Sequence, residues 1–199
     1  MTTVQTQMLT PEARAARYLS QWPARPPLQV HKGCLYGVWL IGATYKRDMA
    51  YYGAYPHGIL DRLLALFPET PRLHLFSGMV RDVDPGASTF DINPGCRPSV
   101  VGDVMEIAAH FSAEQFATVL ADPPYNERAR TIYGTRDFDK RLALREVWRV
   151  IRPGGTLVWM DVITPIWSSR QWEWGGLIGI QTGTNCVMCA LSILVKKGD

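Results

Sequence analysis

Apolar positions along the chain follow two different periods, and the change between them divides it. Over Pro11 to Gln21 the spacing predicts a weak helix, which the proline-rich stretch Pro23 to Pro27 cannot continue. Residues 1–30 are therefore expected to form an arm packed on the domain. Residues 31–71 read as a loop and helix: Gly33 to Gly58 is rich in Gly and Tyr. Then Ile59, Leu60, Leu63, Leu64 and Phe67 share one helical face before Pro68 ends it.

From Arg72 onward the period shortens. Arg72 to Phe76, Phe90 to Ile92, Ser99 to Asp103, Phe116 to Asp122 and Thr156 to Val162 are short, mostly apolar runs, each of strand length. Thr118 to Ala121 and Leu157 to Met160 are apolar without alternation, the mark of parallel strands covered on both faces. One strong helical stripe, Leu144, Val147, Trp148 and Ile151, lies in Phe138 to Ile151 and is ended by Arg152-Pro153-Gly154-Gly155. Leu177 to Gln181 and Cys186 to Lys196 flank a turn-forming Thr182-Gly183-Thr184-Asn185, as in an antiparallel hairpin. The pattern predicts a doubly wound α/β sheet over residues 72–199, mostly parallel and closed at one edge by a C-terminal antiparallel hairpin.

Composition narrows the class. The chain has 199 residues, 47% of them apolar, which suits a single domain over residues 1–199 with no need of a disulfide or metal staple. The net charge of +3 does not announce a nucleic-acid binder, so such a role must come from local clustering. The longest nearly apolar stretch, Cys186 to Val195, is about half of a bilayer-spanning helix. The amino terminus is polar. Both features lead to an expectation of a cytoplasmic protein with reduced thiols.

In doubly wound sheets ligands bind outside the carboxyl ends of the strands. Phe76-Ser77-Gly78, Asp91, Asp103 and Asp122-Pro123-Pro124-Tyr125 all fall there. Carboxylates at successive strand ends suit a neutral or cationic ligand bearing hydroxyls, since a carboxylate only accepts hydrogen bonds. Phosphate is poorly served: the chain has no GxGxxG and no glycine loop ending in Lys-Ser/Thr. In Asp122-Pro123-Pro124-Tyr125 two prolines remove two N–H donors. Carbonyls and one carboxylate remain beside an aromatic ring. That acceptor cluster with a stacking plate matches an exocyclic amine on a planar base.

In the order of these motifs the chain resembles the S-adenosylmethionine-dependent amino-methyltransferases of nucleic acids, especially the DNA N6-adenine methyltransferases with a DPPY motif. The resemblance covers roughly Tyr51 to Lys196. It implies a Rossmann-like methyltransferase sheet, S-adenosyl-L-methionine as cofactor, and methyl transfer to the N6 amine of adenine in DNA. It further implies that Phe76, Ser77 and Gly78 line the methionine and ribose side of the cofactor. Asp91, with Ile92 beside it, would hold the ribose hydroxyls, and Asp103 with Val104 would meet the cofactor's adenine. Tyr55 and Pro56 would form a further cofactor-contacting segment, while Asp122, Pro123, Pro124 and Tyr125 would face the reacting amine. Two departures accompany the likeness. Phe76-Ser77-Gly78-Met79-Val80 carries one glycine where the family has Phe-x-Gly-x-Gly, and the short Ser77 to Ala87 link predicts a shortened or missing helix. Little of the chain remains for a target-recognition domain, so sequence recognition is expected to be weak or supplied by a homodimer or separate partner.

Other readings compete with parts of this picture. An RNA base methyltransferase, or a non-catalytic subunit binding cofactor or nucleic acid, shares the same motifs. Arg128, Arg130 and Arg136, with Lys140 and Arg141, form a basic cluster after Tyr125 that is a candidate substrate contact; Tyr45, Lys46, Arg47, Tyr51, Tyr52 and Tyr55 form a second, basic-aromatic one. Cys186 and Cys189 would point to opposite faces of a strand, which favours core packing over a metal site. Trp167, Trp172 and Trp174 are read as a cap on the sheet rather than a platform for a base.

Overall fold

The computed structural model describes residues 7–41, 55, 58–80, 83–124, 138–183 and 187–198. Helix α1 (Pro11–Gln21) is capped by the Thr10 hydroxyl, which accepts from the Ala13 N–H. It is anchored by a buried ion pair: Arg14 donates to both oxygens of Glu69, at 2.7 and 3.1 Å, and Glu69 also accepts from the Leu9 N–H at 2.8 Å. The expected arm is therefore tied to the body of the protein by charge as well as by Tyr18, which is fully buried.

The sheet has nine strands in the order β1-β2-β8-β9-β7-β6-β3-β4-β5. They are β1 (Gln29–His31), β2 (Cys34–Leu40), β3 (Arg72–Leu75), β4 (Ser88–Asp91), β5 (Val100–Val101), β6 (Phe116–Ala121), β7 (Ile151–Asp161), β8 (Trp172–Gln181) and β9 (Cys189–Lys196). All run parallel except β9, antiparallel to both neighbours, and β1, antiparallel to β2. This is the expected doubly wound, mostly parallel sheet with a C-terminal antiparallel hairpin.

Three details differ from expectation. The hairpin does not close an edge, because β2 pairs in parallel with β8 and β1 forms the true edge. The stretch after Gly33, read as loop, thus opens with a seven-residue strand. Arg152-Pro153-Gly154-Gly155 lie inside β7 rather than between helix and strand. The helix α3 (Lys140–Val150) stops where Ile151 pairs with Phe116.

Both faces are covered. On one, α1 and α2 (Ile59–Leu66) pack Tyr18, Leu63 and Phe67 against Leu120, Val158 and Ile178. On the other, α3 and a 3-10 segment (Val104–Ala109) pack Leu144, Val147 and Ile107 against Leu73, Val119 and Trp159. Trp172 is buried, and Trp167 stacks on Trp174 at 5.0 Å between ring centres, both packed on this second core, so they cap the sheet as expected.

The link between β3 and β4 contains no α-helix among its described residues. Turns replace it, with Val80 N–H bonding Ser77 O, Asp84 N–H bonding Val80 O and Ala87 N–H bonding Asp84 O. Asp84 pins this link to β3: its carboxylate accepts from Arg72 at 2.6 and 3.2 Å and lies 3.0 Å from His74 Nε2. All three residues are buried, and the hydrogen bond from His74, followed by those from Arg72, holds the Asp84 carboxyl well below the usual carboxylate range. Among the described residues no helix is long and apolar enough to cross a membrane.

Candidate functional site

Strand order reverses between β3 and β6: β4 and β5 continue outward from β3, whereas β7 follows β6. At such a switch point the links after the two central strands leave in opposite directions, which opens a crevice at their carboxyl ends. Here that crevice is a cleft lined by Phe76, Phe90, Asp91, Ile92, Gly102, Asp103, Val104, Met105, Pro124 and Phe138. Six of the residues expected at the site, namely Phe76, Asp91, Ile92, Asp103, Val104 and Pro124, thus meet around one space.

Each carboxylate is oriented by its own loop. Asp91 Oδ2 accepts from the Gly78 N–H and Oδ1 from the Asn93 N–H, both at 2.9 Å, so this residue cross-ties the turns after β3 and β4. A carboxylate offers about four lone-pair positions, which leaves acceptor capacity for a ligand. Asp103 caps the 3-10 segment, its Oδ1 accepting from the Met105 N–H at 2.9 Å. The helix-cap role and the cleft-lining role coincide in this one residue.

The turn after β3 is shaped for close approach. Gly78 has φ +49°, a conformation that suits glycine, but Phe76 adopts φ +55°. A bulky residue in the left-handed region is strained, and such outliers cluster at ligand sites. The Phe76 ring lies edge-on to Phe138 at 5.4 Å and to Trp159 at 6.2 Å. Gly102 is required for space: a Cβ there would lie 2.6 Å from the Phe90 ring.

The remaining expected residues lie around the cleft rather than in it. Ser77 and Gly78 are buried behind it, the Ser77 hydroxyl without a hydrogen-bond partner among the described residues. Pro123 is buried and Asp122 half-buried, directly after β6. Tyr55 packs on the core face that carries α2, with its ring edge-on to His74 at 6.2 Å. Burial, and then the nearby Asp122 carboxylate, push its hydroxyl well above the ordinary tyrosine value. Tyr55 therefore stays neutral beside Asp122. Pro56, Tyr125, Arg128, Arg130 and Arg136, together with Tyr45, Lys46, Arg47, Tyr51, Tyr52 and Cys186, lie outside the described residues. Cys189 is half-buried against the core.

Of the first basic cluster, Lys140 is ion-paired with the buried Asp161 at the end of β7. That contact draws its ammonium onto the protein itself. Phe138 is a wall of the cleft that the sequence reading assigned only to the start of a helix. Its ring rests against Trp159 of β7, a contact that no local pattern in the sequence signals.

The cleft can therefore receive a ligand with an apolar, planar part, between Phe76, Val104, Met105 and Phe138, and hydroxyl or amine donors facing Asp91 and Asp103. Among the described residues its lining holds two carboxylates and no Lys or Arg. Those two carboxylates repel an anionic phosphate.

No protein-family model matches the chain, and no curated protein matches it in sequence. Among solved structures, it is similar to TrmN from Thermus thermophilus at 12% identity and a TM-score of 0.42, over 63% of this chain and 43% of that one. It is similar to the N-methyltransferase NodS from Bradyrhizobium japonicum WM9, in complex with S-adenosyl-L-homocysteine, at 14% identity and a TM-score of 0.44, over 64% and 78%. A third is the antibiotic-resistance methyltransferase Kmr, at 13% identity and a TM-score of 0.43, over 73% and 95%. The match to TrmN spans less than half of that protein's length.

Proposed function

We propose that this protein is an S-adenosyl-L-methionine-dependent methyltransferase acting on the exocyclic N6 amine of adenine in DNA. The observation that carries the proposal is the junction of two chemistries in one cleft. An apolar and aromatic lining with Asp91 and Asp103 is continued by Pro124 of the Asp122-Pro123-Pro124 acceptor run. The residues present fit the cofactor, whose base and ribose suit the apolar walls and carboxylates and whose positive charge suits an acidic lining. When bound, it supplies an electrophilic methyl group.

The protein's part is to prepare the nucleophile. The amine lone pair of adenine is delocalised into the ring, so it attacks poorly until acceptors draw on its N–H groups. Asp122 and the Pro123 carbonyl accept those hydrogen bonds and stabilise the positive charge that grows on nitrogen. Tyr125 stacks on the base, and Arg128, Arg130 and Arg136 contact phosphates. Alignment of donor and acceptor supplies much of the remaining rate. In a duplex the base must leave the stack, at about a few kcal/mol.

Mass spectrometry of nucleosides from DNA and RNA, each incubated with protein and cofactor, tests this reading. N6-methyladenine in DNA supports it; a methylated RNA base alone overturns the choice of polymer, and no product overturns the activity. Within the same reading, Asp91→Ala is expected to weaken cofactor binding at least about tenfold, the loss of hydrogen bonds to a charged acceptor. Titration calorimetry with the variant reads this directly, and an unchanged dissociation constant rejects the role.

A further inference from the structure

β7 ends in Asp161, which is only 1% exposed, and no step above uses it. Its Oδ1 accepts from the Val162 N–H at 2.7 Å and, more weakly, from the Ile163 N–H at 3.4 Å. Oδ2 accepts from the Lys140 ammonium and, at 3.4 Å, from the Trp159 indole N–H. Burying a carboxylate with one cation is a poor route to stability, because desolvation offsets most of the attraction. An apolar pair would hold a strand to a helix as well.

What this pair joins explains it better. Lys140 is the first residue of α3, whose cap is Asp139, accepting from the Arg141 and Leu142 N–H groups. Phe138 comes directly before that cap. Its ring lies nearly parallel to Trp159, 6° between planes with ring centres 6.4 Å apart, and forms a wall of the cleft. Asp161 thus grips both parts of this wall, the backbone just after Phe138 through Lys140 and the supporting Trp159 through its indole.

We infer that the Lys140–Asp161 pair is a positioning device that sets the Phe138–Trp159 wall and, through it, the affinity of the cleft for the nucleoside part of the cofactor. The inference rests on the proposed function. Neither residue is among the described lining of the cleft, and Lys140 can be altered without opening the core because its side chain is one-third exposed.

The test is calorimetric binding of S-adenosyl-L-methionine to the full chain and its variants, with thermal melts alongside. A Lys140→Met/Asp161→Asn variant strands no buried charge and is expected to bind about tenfold more weakly, with Lys140→Arg within about threefold of the parent. Phe138→Ala is expected to lose about tenfold as well. Combined with the first two changes it should lose no more than about threefold further, because residues acting through one contact are not additive. Should the paired variant lose its cooperative melt, Asp161→Asn alone carries the same expectation, since Lys140 can then turn to solvent. Unchanged affinity in the folded pair variants, or a combined loss of about 100-fold, overturns the inference alone. A parent protein that does not bind the cofactor overturns both the inference and the function it rests on.

Discussion

Replacing Asp122 with alanine is expected to lower the rate of methyl transfer by about 100- to 1,000-fold, the loss typical when one preorganised electrostatic partner of a developing charge is removed. Cofactor affinity should change by less than about threefold, since the cleft is lined by Asp91 and Asp103 and not by Asp122. The contrast with Asp91→Ala, which should do the reverse, is the useful part. Asp122 follows β6, whose Ala121 pairs with both Leu75 and Trp159, so the side chain is carried on the middle of the sheet rather than on a free loop. Substitution there removes an acceptor without releasing the strand. Single-turnover rates with saturating cofactor measure the effect, and full activity in the alanine variant rejects the mechanism. Asp122→Asn should fall between the two. It keeps one acceptor oxygen and loses the charge.

The parts of this architecture that were legible in the sequence are those decided by local burial. β6 and the second half of β7 are runs of apolar residues buried on both faces, and such runs announce themselves. The link from β3 to β4 was too short for the usual helix, and turns fill it. β2 was not legible. Its exposed Val38 and Leu40 and its central Gly37 break the pattern, and its partner β8 lies some 140 residues onward. Pairing at that distance leaves no mark on a local window.

The site divides in the same way. Asp91, Asp103 and Pro124 were found because strand ends are visible in sequence and the topology does the rest. Asp161 obeys the same rule and was missed by one residue, since the apolar run extends to Val162 while the strand ends before it. Phe138 could not be found by rule. Its place in the cleft depends on the Trp159 ring beneath it, a contact between positions that no periodicity links. Asp84 is the sharpest case, because Arg72 and His74 sit in a strand that otherwise reads as buried. Only a carboxylate reaching back from the β3–β4 link makes their burial tolerable.

Asp84 accordingly carries the largest expected effect on stability. Asp84→Ala leaves the Arg72 guanidinium, about one-tenth exposed, and the fully buried His74 without their shared acceptor. Breaking a buried ion pair from one side costs about 3–5 kcal/mol, a large share of a domain's net stability. The pH dependence follows from the sign of the shift. A carboxyl held below its ordinary value in the folded protein contributes fully above about pH 4, the unfolded value, and its contribution is lost as the pH falls through the lowered folded value. Urea unfolding at pH 7 should therefore show the parent far more stable than the variant, and the difference should shrink as the pH is taken below about 4. Equal midpoints at pH 7 would show the network to be energetically idle. A difference that did not narrow in acid would assign the stabilisation to the shape of the Asp84 side chain rather than to its charge. Because the same link carries Ser77 and Gly78, whose N–H meets Asp91, a folded Asp84 variant should also bind cofactor more weakly. Loss of the pin beneath the turn would then be read at the cleft above it.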